Sequence, residues 1–177
     1  MHFKDNAPCT SPISSLRSSF SSIETLAHDF AQYLTINKEL IISTLVSYET
    51  HAVALDEFER TLDLLYNLKN NKEYFGKKTH LIKSYLPQNQ PLYALTCFAI
   101  VPSLQSHKTH VRPPSAAHEL FQQLVAALNL FQFFPHIEIF YNDKQTFTHT
   151  DIQKTNVVIF TGSSEVGLNI RKLFSPN

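Results

Sequence analysis

Glycine is scarce in this sequence: there are three in 177 residues, and two of them fall inside "FTGSSEVG", residues 160–167. Cysteine is scarcer still. Cys9 and Cys97 are too few for a disulfide framework or a cysteine metal cluster. Neither sign of charge is in excess, with 15 basic against 15 acidic side chains. That balance excludes the basic field by which proteins hold nucleic acid or an anionic membrane. No hydrophobic run is long enough to span a bilayer: "PLYALTCFAIVPSL", inside the charge-free residues 84–107, falls short of the roughly 20 residues required. It reads as a buried core helix. The opening "MHFKDNAPCTSPISS" has no apolar centre of the signal-peptide kind, so the cytoplasm is the expected compartment.

An apolar fraction of 43% is enough for a sizeable core. Residues 1–22 are Ser-rich and patternless, and read as a mobile arm. Over residues 23–78 apolar positions recur at helical spacing: Ile23, Leu26, Ala27, Phe30 and Leu34, then Leu40, Ile41, Leu45 and Val46. Asn37 is placed to cap the second of these helices. A third is expected over about residues 52–70, with Phe58, Leu62, Leu65 and Leu68 inward and the acidic run "DEFERTLD" on a solvated face. From residue 79 the texture changes. "HLIKSYL", "KTHV", "HIEIFYND" and "NVVIF" read as strands, and residues 91–104 and 115–130 as helices, with Ser115 as the N-cap of the latter. "TFTHTDIQKT" reads as a connection and "SSEVGLNIRKLF" as a last helix. Strands alternating with helices imply βαβ units and a parallel sheet.

A buried strand running through "TGSSEVG" into a helix is the geometry that holds phosphate. Free N–H groups at a helix start point outward, and the dipole there favours an anion. Gly162 lets backbone turn and approach a ligand that a Cβ would exclude. Ser163 and Ser164 add hydroxyls, either of which can cap the helix, and Gly167 permits close helix–strand packing. As a bare pattern the signal is weak, and an ordinary strand-to-helix turn fits the stretch better.

"VVIFTGSSEVGLNI" resembles the stretch of the aldehyde dehydrogenase superfamily in which strand, Thr-Gly-Ser turn and helix cradle the cofactor pyrophosphate. Upstream, "LPQNQPLYALTCFAIVPSL" resembles that family's Pro-Trp-Asn-Phe-Pro segment and its apolar helix. "HVRPPS" resembles its Val-Leu-Lys-Pro-Ser-Glu segment. The three pieces fall in family order over residues 80–177. The resemblance implies an α/β fold, a partial Rossmann-like parallel sheet preceded by a helical N-terminal segment. It divides the chain into the arm (1–22), the helical segment (23–78) and a partial NAD(P)-binding domain (79–177).

By the same resemblance, Asn89 supplies an oxyanion-hole amide where negative charge develops on the substrate. Gly162 and Ser163 meet the pyrophosphate, and Arg112, with Pro113 and Ser115 after it, lies by the adenine ribose. Gln88 stands where the family has Trp. The family's Glu after the Pro-Ser pair is lacking, and a guanidinium without that carboxylate suits a 2′-phosphate. NAD or NADP is therefore the implied cofactor, with NADP favoured.

The family's Cys nucleophile and Glu base lie beyond the sequence at hand, so the chain alone is expected to be inactive. A truncated, split or decayed dehydrogenase is the expectation, its open sheet edge awaiting a complementing chain or a second copy. The alternative is a non-enzymatic interaction module. Cys97, inside the apolar run, reads as a structural thiol. His107, His110 and His118 raise a metal reading, but the first two lie in an extended segment, and no metal is expected. His149, Asp151 and Ser163 lack the nucleophile elbow that a hydrolase triad of that order uses. The aromatics Phe131, Phe133, Phe134, Phe140 and Tyr141, without interleaved basic residues, read as packing.

Overall fold

The computed structural model describes residues 12–174, with side chains from residue 22. Helix α1 (Pro12–Ile36) begins well inside the expected arm, whose residues 1–11 lie outside the described residues. It is followed by α2 (Lys38–Val46) and α3 (His51–Tyr66). Asn37 does not cap α2. Its Nδ2 donates instead to the Tyr33 carbonyl at 2.9 Å, closing the end of α1. Thr50 caps α3, accepting from the Val53 N–H. That helix stops at Tyr66 and gives way to 3-10 turns, Leu68–Tyr74, over the "LKNNKEY" stretch whose asparagines favour turn conformations.

The α/β part carries four parallel strands, β1 (Thr79–Tyr85), β2 (Ser106–Arg112), β3 (Ile137–Ile139) and β4 (Val157–Phe160), in the order β3-β2-β1-β4. β1 and β2 are joined by α4 (Pro91–Leu95), a π-helical turn (Thr96–Ile100) and α5 (Val101–Ser103). The Val101 N–H reaches back to the Thr96 carbonyl. The wide turn sits next to Pro102, which has no N–H to give to a regular helical ladder. β2 leads through a 3-10 turn (Ser115–Ala117) into α6 (His118–Ala127) and α7 (Leu130–Phe133). Ser115 is not the expected N-cap, because its hydroxyl accepts from Arg112. The stretch read as a connection is helical: α8 (Lys144–His149), capped by Asp143 through the Thr146 N–H, and a 3-10 turn (Ile152–Lys154). α9 (Ser164–Phe174) closes the described chain.

The strand order explains the layering. β1 to β3 advance in one direction, so right-handed crossovers put their helices on one face. The step from β3 back across to β4 puts α8 and α9 on the other. The main core lies on the first face, where Val111, Leu86 and Ile137 meet Leu92, Phe121, Leu124 and the helical segment through Phe30 and Phe58. A smaller cluster lies on the second, built on Tyr85, Phe147 and Ile170 with Phe140, Val158 and Phe160 packed against it. No described helix is long and apolar enough to cross a membrane.

Candidate functional site

The chain direction changes between β1 and β4. In open parallel sheets, ligands bind at the carboxyl ends of the strands at such a switch point. Tyr85 and Phe160 pair at the ends of these two strands. Two connections therefore leave the sheet side by side: residues 86–90 from β1 and residues 161–163 from β4. Asn89 lies in the first, Gly162 and Ser163 in the second.

The second connection is a short turn. Gly162, Ser163, Ser164 and Glu165 are all exposed, and the Ser163 carbonyl takes the first helical bond, from the Gly167 N–H at 3.0 Å. The start of α9 thus faces solvent, with its early N–H groups outside the helical ladder. Gly162 has no positive φ, so the turn makes no conformational demand for glycine. A Cβ there would stand 2.6 Å from Phe160 Cζ, and one at Gly167 would stand 3.3 Å from the same ring. Both glycines make room for Phe160, whose ring also lies edge-on to Tyr85. The expected close helix–strand packing at Gly167 is present. The stated reason for Gly162 is corrected: the chain's own aromatic side chain occupies the space opened by the missing Cβ. Glu165, in the first turn of α9, brings a negative charge to the same end.

The first connection is held from behind. Gln90 adopts a left-handed conformation (φ 51°) before Pro91 starts α4. Two side chains of α3 grip this corner. Arg60 Nη1 donates to Gln90 Oε1 at 3.1 Å, and its guanidinium lies 4.1 Å above the Tyr93 ring. Glu57 Oε2 accepts from the Tyr93 N–H at 3.2 Å, and the Leu92 amide acts on the same carboxyl. Glu57 is fully buried, which corrects the reading of its acidic run as wholly solvated. Burial, with Glu49 beside it, pushes the Glu57 carboxyl well above the usual range. Exposed Asn89 shares with Gln88, Gln90, Tyr48, Glu49 and Val53 a cavity of about 510 Å³.

The third group of expected residues lies at the end of β2. Arg112 is almost fully buried. Its Nη2 donates to Ser115 Oγ at 2.9 Å, its Nη1 to the Pro113 carbonyl at 3.3 Å, and its Nε is without a partner. Arg112, Pro113 and Ser115 are thus joined in one small bonded unit.

Other candidates stand elsewhere. Cys97 is half-buried on the π-helical turn, and burial raises its thiol pKa, the opposite of what a nucleophile requires. His107 and His110, three apart on β2, project to opposite faces. His118 stacks edge-on to Tyr141, and Asp151 pairs with Lys154 at 3.0 Å. Of the aromatics, Phe134 is fully buried, whereas Phe131 is exposed.

Sequence reading missed Glu49, Glu57 and Lys83. Lys83 is fully buried on β1. Its ammonium donates to the Phe147 and Thr148 carbonyls at 2.6 and 3.0 Å, satisfying the last turn of α8. Burial lowers its pKa to about 8, with Asp151 opposing the shift.

The fold and the switch point together define a partial Rossmann-like α/β domain with a helical segment before it. No protein-family model matches the sequence, and no curated protein sequence matches it. Among solved structures, the chain is similar to the glyceraldehyde-3-phosphate dehydrogenase GapN of Methanocaldococcus jannaschii, crystallised with NADP, with a TM-score of 0.69 at 15% identity. The match covers 95% of this chain and 45% of that one, so the chain spans less than half the length of the enzyme it resembles. At this identity, the likeness establishes the fold.

Proposed function

We propose that this chain is the first part of an NAD(P)-dependent aldehyde dehydrogenase-like fold. In this reading the dinucleotide's diphosphate lies against the exposed start of α9, beside Gly162 and Ser163. The observation that carries it is the strand order, which sets the Asn89 loop and that helix start next to each other at the switch point. The residues fit such a ligand in part. The helix start is open and its early amides face solvent, whereas Glu165 opposes an anion and Phe160 fills the space behind Gly162. Arg112, at the end of β2 where such domains hold the ribose, would favour a 2′-phosphate only on release from Ser115 and the Pro113 carbonyl, which now hold its guanidinium. A bound nicotinamide would supply the hydride acceptor. The residues of this chain would bind the dinucleotide and orient a carbonyl oxygen at Asn89. Cys97, whose pKa is raised by burial, does not suit a nucleophile's role, and this reading expects the chain by itself to bind without turning over.

Calorimetric titration of the 177-residue chain with NADP and with NAD tests this reading. Binding of both, tighter for NADP and weakened by Ser163→Asp, is expected. The absence of heat from either nucleotide up to millimolar concentration overturns it, and equal or tighter binding of NAD removes the NADP preference.

A second reading, an interaction scaffold, is favoured by one observation. β4 is an edge of the four-stranded sheet, with Val157 38% exposed, and α9 beside it shows Leu168 and Leu173 to solvent at 56% and 48%. An unpaired parallel edge flanked by apolar side chains is a pairing surface for another strand. Concentration-dependent mass in sedimentation, abolished by Val157→Lys, is the expected result. A monomer at all concentrations rejects it.

A further inference from the structure

The open edge of the sheet also restricts what can pair with it, an inference that rests on the second reading above, in which β4 takes another strand. The sheet has two edges, β3 and β4, and they are made differently. β3 is the three residues Ile137–Ile139, and its centre is Glu138, which Lys108 holds at 2.7 Å. A short strand with charge at its middle is a guarded edge. β4 is Val157–Phe160, apolar throughout and without a charge. Pairing of β4 with the β3 edge of a next copy would leave a free edge at each end and build an open-ended array. Pairing of β4 with β4 closes after two copies.

Helix α9 fits the closed arrangement. It packs back over β4, its Ile170 and Phe174 sharing the small cluster with Val158 and Phe160, so it runs against the strand direction. A two-fold axis normal to the sheet makes the two β4 strands antiparallel and keeps both α9 helices on one face. The helices then lie side by side in opposite directions, the start of one by the end of the other. α9 has its acid, Glu165, in the first turn and its bases, Arg171 and Lys172, in the last. Two copies running the same way would set like charges together. Two copies running opposite ways set Glu165 of each by the last turn of the other. Leu168, 56% exposed, stands between these ends.

We propose that the occupant of the β4 edge is a second copy of this chain, antiparallel about a two-fold axis, joined β4 to β4 and by Glu165 of one α9 to Lys172 of the other. The sheet then runs through both copies without an exposed apolar edge. The contact also reaches the switch point. Lys172 of the second copy comes to the exposed start of α9, where Glu165 alone would oppose an anion.

Sedimentation of the 177-residue chain over a range of concentrations tests this with the parent, Glu165→Lys, Lys172→Glu and the double variant carrying both exchanges. A monomer–dimer equilibrium is expected for the parent. Each single exchange should raise the dissociation constant about tenfold, and the double variant should return to within about threefold of the parent. Both exchanges oppose the dipole of their own helix, so an effect confined to α9 would make the double variant the weakest of all. That result overturns the antiparallel pairing. Association that Val157→Lys abolishes but the double variant does not restore overturns the two-fold geometry and leaves the edge as a pairing surface. A monomer at every concentration overturns both. Should a charge variant fail to fold by circular dichroism, the parent decides alone. In an equal mixture of ¹³C-labelled and unlabelled copies, filtered NOEs should join the methyls of Val157 and Ile159 across copies, and their absence overturns the proposal.

Discussion

The two connections at the switch point are neighbours made in different ways. The Asn89 corner is held by tertiary contacts: Glu57 on the Tyr93 N–H, Arg60 on Gln90 and Tyr93. The Gly162 corner is held by its own strand, because the Phe160 ring occupies the space beside residues 162 and 167 that their missing side chains leave open. Behind the first stands the main core, and behind the second the small cluster around Phe147. One corner is therefore sensitive to the charge state of buried acids, and the other to steric fit. A ligand reaching across both meets a wall set by electrostatics and a wall set by shape.

The largest blow to this contrast is Phe147→Ala. Phe147 is fully buried, lies edge-on to Tyr85 at 4.9 Å, and packs against Phe140 at 5.4 Å. Its removal should cost about 3–5 kcal/mol in urea unfolding. Amide signals of α8 and α9 should broaden while those of Leu92 and Tyr93 persist. Equal loss at both corners would show that they are one unit.

Next comes Glu57→Ala, which leaves the amides at the start of α4 without their acceptor and should cost about 2–3 kcal/mol. Glu57→Gln keeps an acceptor and should cost under about 1 kcal/mol. Glu57 also sets a pH dependence. Its folded-state pKa lies above the ordinary 4.5, so the stability it contributes is complete below that value. It is lost as pH rises toward and through the folded-state value. Unfolding midpoints of the parent chain should fall, relative to those of Glu57→Gln, on going from mildly acid to alkaline buffer. Parallel curves for the two proteins would remove Glu57 as the source.

These side chains mark where the sequence was legible. The alternation of strand and helix predicted the parallel sheet, because buried strands and amphipathic helices have different periods, and "NVVIF" and "SSEVGLNIRKLF" were readable on that basis. α8 was missed: "TFTHTDIQKT" is rich in β-branched and polar residues, and its helix depends on the Asp143 cap and on Lys83 reaching its last carbonyls from β1. Glu57 was misread for a similar reason. On a helical wheel it sits at the rim of the charged face, and only the docking of α4 against α3 buries it. Gly162 was read as leaving room for a ligand, and the ring of Phe160, two residues earlier, lies in that room. Local pattern does not tell a space kept for a ligand from one filled by a neighbour.

Gly162→Ala separates those two readings of the second corner. Its Cβ would press on Phe160 Cζ, which should cost about 1–3 kcal/mol, and Phe160→Leu in the same chain should recover most of that loss. If the alanine variant is as stable as the parent yet no longer binds NADP, the glycine serves a ligand, and the account of the corner by shape fails.

The smallest effect expected comes from His110, which links the same face to acid. Its ring is buried on β2 with neither nitrogen hydrogen-bonded, 4.7 Å from the Phe140 ring that packs on Phe147. Burial lowers its pKa from 6.5. Glu138 and Asp151 draw it upward, Lys108 and Lys83 press it down, and burial outweighs them all. Because the folded-state value is depressed, its contribution is whole above 6.5 and is lost as pH falls from there through the folded-state value. The Phe147 side should therefore weaken in acid, where the Glu57 side is at its strongest. Unfolding of His110→Phe should be flatter than that of the parent below pH 6.5. A parent chain whose α8 and α9 signals are unchanged down to pH 5 would show that the two corners do not divide the pH scale between them.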